Sequence, residues 1–295
     1  MNGLLIIDKP SGMTSHDVVA RLRRATGEQS IGHLGTLDPM ATGVLPLLLG
    51  KFTRLAQFYG SHEKSYTGTI RFGFSTDTYD AEGTPTSVPV IPSLTLEHIR
   101  AAAVRFRGDV DQLPPPISAK KIGGRAAYKI ARSGETPQLK AARIHIAEFA
   151  VTSFDGELAG FLMRISSGGY VRSVAQELGQ ILGPEPHPGA HLATLRRIAS
   201  GPFTIEQAIP LDEAESLARE GRLAAHLPHP RTLLPELPAV TVDDQTLSRL
   251  CNGMQINLPE FTQAPLVKVF YGQRELVAIG KRIAGTLFQP TIVLV

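Results

Sequence analysis

Cysteine is almost missing from this chain of 295 residues. The one present, Cys251, has no internal partner for a disulfide, which fits a reducing cytoplasm and leaves no cysteine set for a zinc ribbon. No run of about 18 apolar residues occurs, so no membrane span is expected. The N-terminus carries no basic stretch ahead of its apolar residues 4–7 and makes a poor signal peptide. Cofactor motifs are lacking too. Gly50-Lys51 is followed by Phe52 where a phosphate loop needs Ser or Thr, and there is neither a dinucleotide fingerprint nor a nucleophile elbow. His187 and His191 stand four apart, but Pro188 and Gly189 between them break the helix that a metal pair would use. Neither a nucleotide cofactor nor a metal is expected.

What is present suits a globular protein with a real core: 42% of residues are hydrophobic and 19% charged. The net charge of +3 is unevenly spread. Between positions 100 and 143 ten basic residues face only Asp109, Asp111 and Glu135. Such a segment is either a solvated face or the footprint of an anionic partner.

Residues 3–8 read as a buried strand. Thr14-Ser15-His16-Asp17 reads as a capping box opening a helix that Gly27 ends. A strand is expected over 64–74, with Tyr66, Ile70, Phe72 and Phe74 on one face. A helix follows through Leu96, Ile99, Ala103 and Phe106, and two strands flank the turn Asp155-Gly156. Val171, Val174, Ala175, Leu178 and Ile181 outline an amphipathic helix starting just after Gly168-Gly169-Tyr170. Four prolines mark 226–238 as a linker. Short strands beyond it (266–271, 276–279 and 291–295) suggest a small β-barrel of about 60 residues, docked on the first domain.

The segment 32–46 holds three glycines, two prolines and one acid, Asp38. It reads as a shaped loop presenting one carboxylate, although Asp38-Pro39 also fits an ordinary turn. Arg172 falls in the first turn of its helix, where a cation opposes the helix dipole. It becomes sensible if an anion sits there. Asp38 would qualify, as would a surface acid or a phosphate.

Together these motifs resemble the TruB family of pseudouridine synthases, which isomerise a uridine in the T loop of tRNA. Asp8-Lys9-Pro10-Ser11-Gly12-Met13-Thr14-Ser15-His16-Asp17 is similar to the family's N-terminal signature, and 32–46 to its catalytic loop. Pro114-Pro115-Pro116-Ile117-Ser118-Ala119-Lys120-Lys121, continuing through Gly124-Arg125-Ala126-Ala127-Tyr128, resembles its RNA-gripping segment. Ser167-Gly168-Gly169-Tyr170-Val171-Arg172-Ser173 resembles its arginine motif, and Ala190-His191-Leu192-Ala193-Thr194-Leu195-Arg196-Arg197 adds a shorter match. Leu34, Ile117 and Gly169 depart from the family's usual Thr, aromatic and Thr.

The resemblance implies an α+β pseudouridine-synthase fold: a central mixed, largely antiparallel sheet flanked by helices, plus a small C-terminal PUA-like β-barrel. The catalytic domain would span 1–235, with a basic RNA-gripping insertion at about 110–143, and the PUA-like RNA-binding domain 236–295. The resemblance makes Asp38 the catalytic aspartate and Arg172 its partner. Tyr66 would stack on the target base and take part in proton removal at C5. Tyr170 and Leu195 would line the uridine pocket, and His33 would lie near flipped-out nucleotides. Lys9, Lys120, Lys121, Arg125 and Lys129 complete the substrate-binding set. The implied partner is the T arm of tRNA, bound by a cytoplasmic monomer that needs no cofactor. A non-catalytic RNA-binding or tRNA-folding protein on the same fold is the alternative.

Overall fold

The computed structural model describes residues 1–295 apart from positions 87, 91–92, 119, 123, 127–129, 131–132, 134–137, 183–188 and 262, and apart from the side chains at 121, 122 and 126. Lys129 and His187 lie outside the described residues, and so does the Lys121 side chain.

In chain order the first part comprises β1 (Gly3–Lys9), α1 (Ser15–Thr26), β2 (Ile31–His33), β3 (Thr42–Leu49), β4 (Lys64–Phe72), α2 (Leu96–Val104) and β5 (Gly108–Gln112). After them come β6 (Lys121–Ile122), β7 (Arg125–Ala126), β8 (Ala142–Phe154), β9 (Leu158–Ile165), α3 (Val171–Leu182), β10 (Ala190–Ser200), β11 (Phe203–Thr204), β12 (Ile209–Pro210) and α4 (Leu211–Arg219). Ten of these strands form one sheet in the order β12-β1-β3-β10-β4-β9-β8-β5, with β2 beside β3 and β11 beside β10. It is mixed but largely antiparallel: only β1/β12 and β3/β10 run parallel. β6 and β7 pair separately as a short hairpin.

The strand β1 explains how this sheet is buried. Side chains alternate across a strand. Leu5 and Ile7 enter a core shared with α1, α2, α3 and α4, through Val18, Ile99, Val174 and Ala214. Leu4 and Ile6 enter a second core on the opposite face. A strand covered on both sides needs an unbroken apolar run, which is what residues 4–7 are.

Helix boundaries follow local chemistry. The Thr14 hydroxyl accepts the Asp17 N–H and the Asp17 carboxylate accepts the Thr14 N–H, at 3.1 and 2.8 Å. Gly27, at φ +72°, closes α1 with its N–H on the Arg23 carbonyl. The β8–β9 hairpin turns at Asp155 and Gly156. Ile181 departs from the expected apolar face of α3 and is exposed. Gly179 is buried there instead, where a Cβ would run into the Ala190 backbone.

One expectation is corrected. The segment 32–46 is not loop throughout: from Thr42 onward it is β3, a central strand that includes Gly43 and Pro46. Pro46 also explains where β2 stops. Its carbonyl accepts the Leu34 N–H at 2.9 Å, but the return bond of that pair needs an N–H that proline lacks. The chain leaves the ladder there, and a shorter loop, 34–41, remains to carry Asp38.

The C-terminal part comprises β13 (Ala239–Val242), α5 (Asp244–Cys251), β14 (Ile256–Asn257), β15 (Leu266–Tyr271), β16 (Glu275–Ala284) and β17 (Leu287–Val293). Its strands form an open five-stranded sheet, β13-β15-β16-β17-β14, filled by Leu250, Val267, Val277 and Phe288. This is half a barrel, compatible with a PUA-like unit. Its other face contributes Phe270, Leu276, Ile279 and Ile292 to the second core beside Leu4, Phe52 and Tyr59. The proline-marked segment 226–238 joins the two parts as packed chain, with Leu233 and Leu234 buried in that shared core.

Candidate active site

The loop 34–41 is shaped by its neighbours. Its tip is a turn in which the Ala41 N–H reaches the Asp38 carbonyl at 3.1 Å. The N-terminal signature holds it from one side: Gly12 N–H donates to the Pro39 carbonyl at 2.9 Å, and the Ser15 hydroxyl accepts the Leu37 N–H at 2.8 Å. Lys9 is fully buried, and its ammonium donates to the carbonyls of Ala41, Pro10 and Pro39 at 2.7, 2.9 and 3.2 Å. Burial pushes its pKa down to about 8, against the pull of the Asp38 charge. Its described bonds all run to the protein backbone, so it supports the loop from beneath.

Asp38 is thereby offered to Arg172. The guanidinium meets the carboxylate through a hydrogen bond from Nη2 to Oδ1 at 3.0 Å and an ion-pair contact of Nε with Oδ2 at 2.9 Å. Arg172 is 5% exposed, whereas the Asp38 side chain is 31% exposed, so the acid keeps an open side. Arg172 makes further bonds. Nη1 donates to the Thr78 carbonyl at 2.9 Å and lies 3.6 Å from Asp80, while Nη2 also reaches the Ile117 carbonyl at 3.0 Å. The anion that the helix start calls for is a pair of carboxylates.

Asp80 carries no signal in the sequence beyond its place in the polar run Thr76-Asp77-Thr78-Tyr79-Asp80. It is nearly fully buried, with Oδ1 accepting the Thr78 hydroxyl at 2.6 Å and the Glu82 N–H at 3.1 Å. Tyr79 beside it has φ +65°, a strained backbone for an aromatic residue, and its carbonyl is held by the Leu192 N–H of β10. Glu82 lies within electrostatic reach. Burial first, then the charges of Asp80 and Asp38, raise its pKa.

Tyr170 precedes α3, and Gln112 brackets its backbone, accepting its N–H at 2.8 Å and donating to its carbonyl at 3.0 Å. Burial raises the Tyr170 phenol, and both Arg172 and Asp38 act on it. Gln112 is a second residue that the sequence did not single out. His33 ends β2 with Nδ1 buried and unpartnered, and burial with the Arg197 charge lowers its pKa. Tyr66 (8% exposed) and Leu195 (7%) project from neighbouring strands β4 and β10, with Tyr66 paired in register to Arg197.

The basic segment begins at this site, since the Ile117 carbonyl is an Arg172 acceptor. Beyond it, the Lys120 ammonium donates to the Lys140 carbonyl at 3.1 Å, and Arg125 is exposed on the β6–β7 hairpin. Of the three departures from the family pattern, Ile117 acts here through its carbonyl. Gly169 is tight, because a Cβ would strike the Ile165 side chain. Leu34 packs against the second core. His191 is buried, with its ring against Phe74 at 4.5 Å and Nδ1 3.1 Å from the Phe74 carbonyl.

Comparison with known proteins agrees with this architecture. Residues 23–171 match the family model described as TruB family pseudouridylate synthase (N terminal domain). A protein named tRNA pseudouridine synthase B from Solibacter usitatus (strain Ellin6076) is 44% identical over the whole of both chains. One of the same name from Thermobifida fusca (strain YX) is 40% identical over 99% of this chain and 98% of its own. In fold, the chain is similar to a protein in an H/ACA RNP bound to a substrate RNA containing 2'-deoxyuridine, with TM-score 0.69, 24% identity and coverage of 99% of this chain and 85% of that one. A Cbf5-Nop10-Gar1 complex gives TM-score 0.68 at 25% identity, covering 96% and 79%. A carboxylate held by a buried arginine, on this sheet and with these relatives, leaves one assignment: the chain belongs to the TruB family of pseudouridylate synthases.

Proposed function

We propose that this protein converts uridine to pseudouridine in the T loop of tRNA, with Asp38 as nucleophile. The observation that carries the reading is the Asp38–Arg172 pair, in which the arginine is buried and the carboxylate keeps an open side. Two relatives spanning essentially the whole chain are named for the same reaction on tRNA.

The reaction is an isomerisation. The N1–C1′ bond breaks, the base turns, and a C5–C1′ bond forms. C5 then loses its proton and N1 gains one, so nothing is consumed. The target base must first leave its stack, at a cost of roughly a few kcal/mol. Cationic side chains on phosphates and an aromatic face under the base offset that cost. Lys120, Lys121, Arg125 and Lys129 supply the first, Tyr66 the second; Tyr170 and Leu195 line the uridine pocket, and His33 lies near the flipped-out nucleotides. Arg172 fixes the orientation of Asp38, so that the open side of the carboxylate attacks C1′ and displaces N1; after the base turns, C5 bonds to C1′ and displaces the carboxylate. Tyr66 takes part in removing the C5 proton. The C-terminal half-barrel extends the RNA-binding surface, and the protein works as a cytoplasmic monomer.

The test is to map pseudouridine in an unmodified tRNA before and after incubation with the protein. A single new pseudouridine in the T loop is expected. An unchanged tRNA, bound but not modified, would leave an RNA-binding protein on the same fold.

A further inference from the structure

Arg197 heads the fully buried side chains in size among the described residues. Its guanidinium turns onto the loop that carries Asp38 and onto the start of β3 that follows it. Nε donates to the Val44 carbonyl at 2.6 Å, Nη2 to Gly35 at 3.1 Å and Nη1 to Thr36 at 3.4 Å. Two of these acceptors precede Asp38 and one follows it, so a single side chain ties both stems of the loop. The Arg197 backbone closes on the same segment. It pairs in parallel register with Gly43, whose φ is +100° and whose absent Cβ would collide with the Arg197 carbonyl.

The charge makes this arrangement unusual. Among the described residues no carboxylate pairs with Arg197, and its cation rests on carbonyl dipoles alone. Its field reaches outward, contributing after burial to the lowered pKa values of His33 and Lys64. Burying a cation without an acid is costly, and an apolar side chain would fill the same space at less cost. A planar fork of five donors does what no apolar side chain can, which is to hold two separate backbone stems at a fixed distance. Lys9 takes the carbonyls of Pro39 and Ala41 between those stems. Four loop carbonyls and that of Val44 in β3 thus point inward to two buried cations.

We infer that Arg197 is a positioning residue for the reaction: by clamping Gly35, Thr36 and Val44 it sets the place from which Asp38 meets Arg172. The inference rests on the reading of Asp38 as the reacting group. A misplacement of about 1 Å at such a group costs on the order of 100-fold in rate.

The test uses the full chain with Arg197→Lys and Arg197→Gln. Lysine keeps the charge but loses the fork, and glutamine keeps a planar donor but loses the charge. Single-turnover pseudouridine formation on a T-arm RNA should slow about 10- to 100-fold in both, with RNA affinity within about twofold of the parent. Hydrogen exchange should rise in peptides covering 34–44 and stay unchanged in the sheet formed by β15, β16 and β17. Parental rates in both variants overturn the inference. So does exchange rising equally in the loop and the C-terminal sheet, because Arg197 would then serve the fold at large. Asp38→Asn runs alongside. If it retains full activity, the functional reading falls, while the exchange pattern still judges the clamp by itself.

Discussion

Arg172 grips Asp38 at two points, a hydrogen bond from Nη2 to Oδ1 at 3.0 Å and an ion-pair contact of Nε with Oδ2 at 2.9 Å, and donates as well to the backbone of two other segments. A lysine could supply the charge but only one point of contact. Arg172→Lys should therefore lower kcat by about 100-fold with little change in RNA affinity, as expected when an orienting contact is lost. Asp38→Asn should abolish tritium release from 5-tritiated uridine in a T-arm transcript while leaving binding nearly intact. A loss of binding that outweighs the loss of turnover in Arg172→Lys would make Arg172 a phosphate contact instead.

Asp80 is the second acid on Arg172, at 3.6 Å. Asparagine in its place keeps an acceptor for the Thr78 hydroxyl and the Glu82 N–H, so the fold should persist. What disappears is the charge that steers Nη1. Asp80→Asn should reduce kcat by about tenfold, the scale of one charge-assisted contact, at unchanged melting temperature. Parental turnover would show that the Thr78 carbonyl alone suffices to hold Nη1.

Features of short range were legible in the sequence, and features set by distant chain were not. The capping box at Thr14 and Asp17, the stop at Gly27 and the turn at Asp155 are each decided within a few residues, and each is present. Arg172 could be suspected because its cost is local: a cation in the first turn of a helix needs an anion. Which anions answer is a tertiary matter, and Asp80 arrives from a loop whose composition marks it only as polar. The strand β3 was hidden for the opposite reason. Gly43 and Pro46 read locally as loop residues. They are explained by neighbours far away in sequence: the Arg197 carbonyl that leaves no room for a Cβ, and a β2 ladder that ends where proline has no N–H to give.

The basic segment gives a prediction about ions. If Lys120, Lys121 and Arg125 neutralise phosphates, each contact releases counterions and steepens the fall of affinity with salt. Replacing all three by alanine should flatten the slope of log K against log salt by about 0.7 to 0.9 for every phosphate contact removed. Affinities measured from low to physiological salt would check this. An unchanged slope would show that these side chains face solvent in the complex.

Stability at acid pH should depend on Glu215, which joins α4 to α1. Arg21 binds it edge on, Nε to Oε1 at 2.6 Å and Nη2 to Oε2 at 2.7 Å, and Arg219 adds a contact at 3.2 Å. The carboxylate is 6% exposed, and its bond to Arg21 holds its pKa below the ordinary glutamate value of 4.5. A depressed acid stabilises the fold fully above that ordinary value. The contribution fades as pH falls from 4.5 through the lower folded value. Glu215→Gln should cost about 2 kcal/mol near neutrality, the scale of hydrogen bonds to a charged group, and lower the melting temperature by several degrees. The gap between parent and variant should narrow as the pH falls from 4.5 through the lower folded value, where the parent also loses the charge. Turnover at neutral pH should not change, since Glu215 stands outside the Asp38 site. Melting curves across the acid range decide the matter: a gap of the same size at low and neutral pH would mean that shape, not charge, holds α1 to α4.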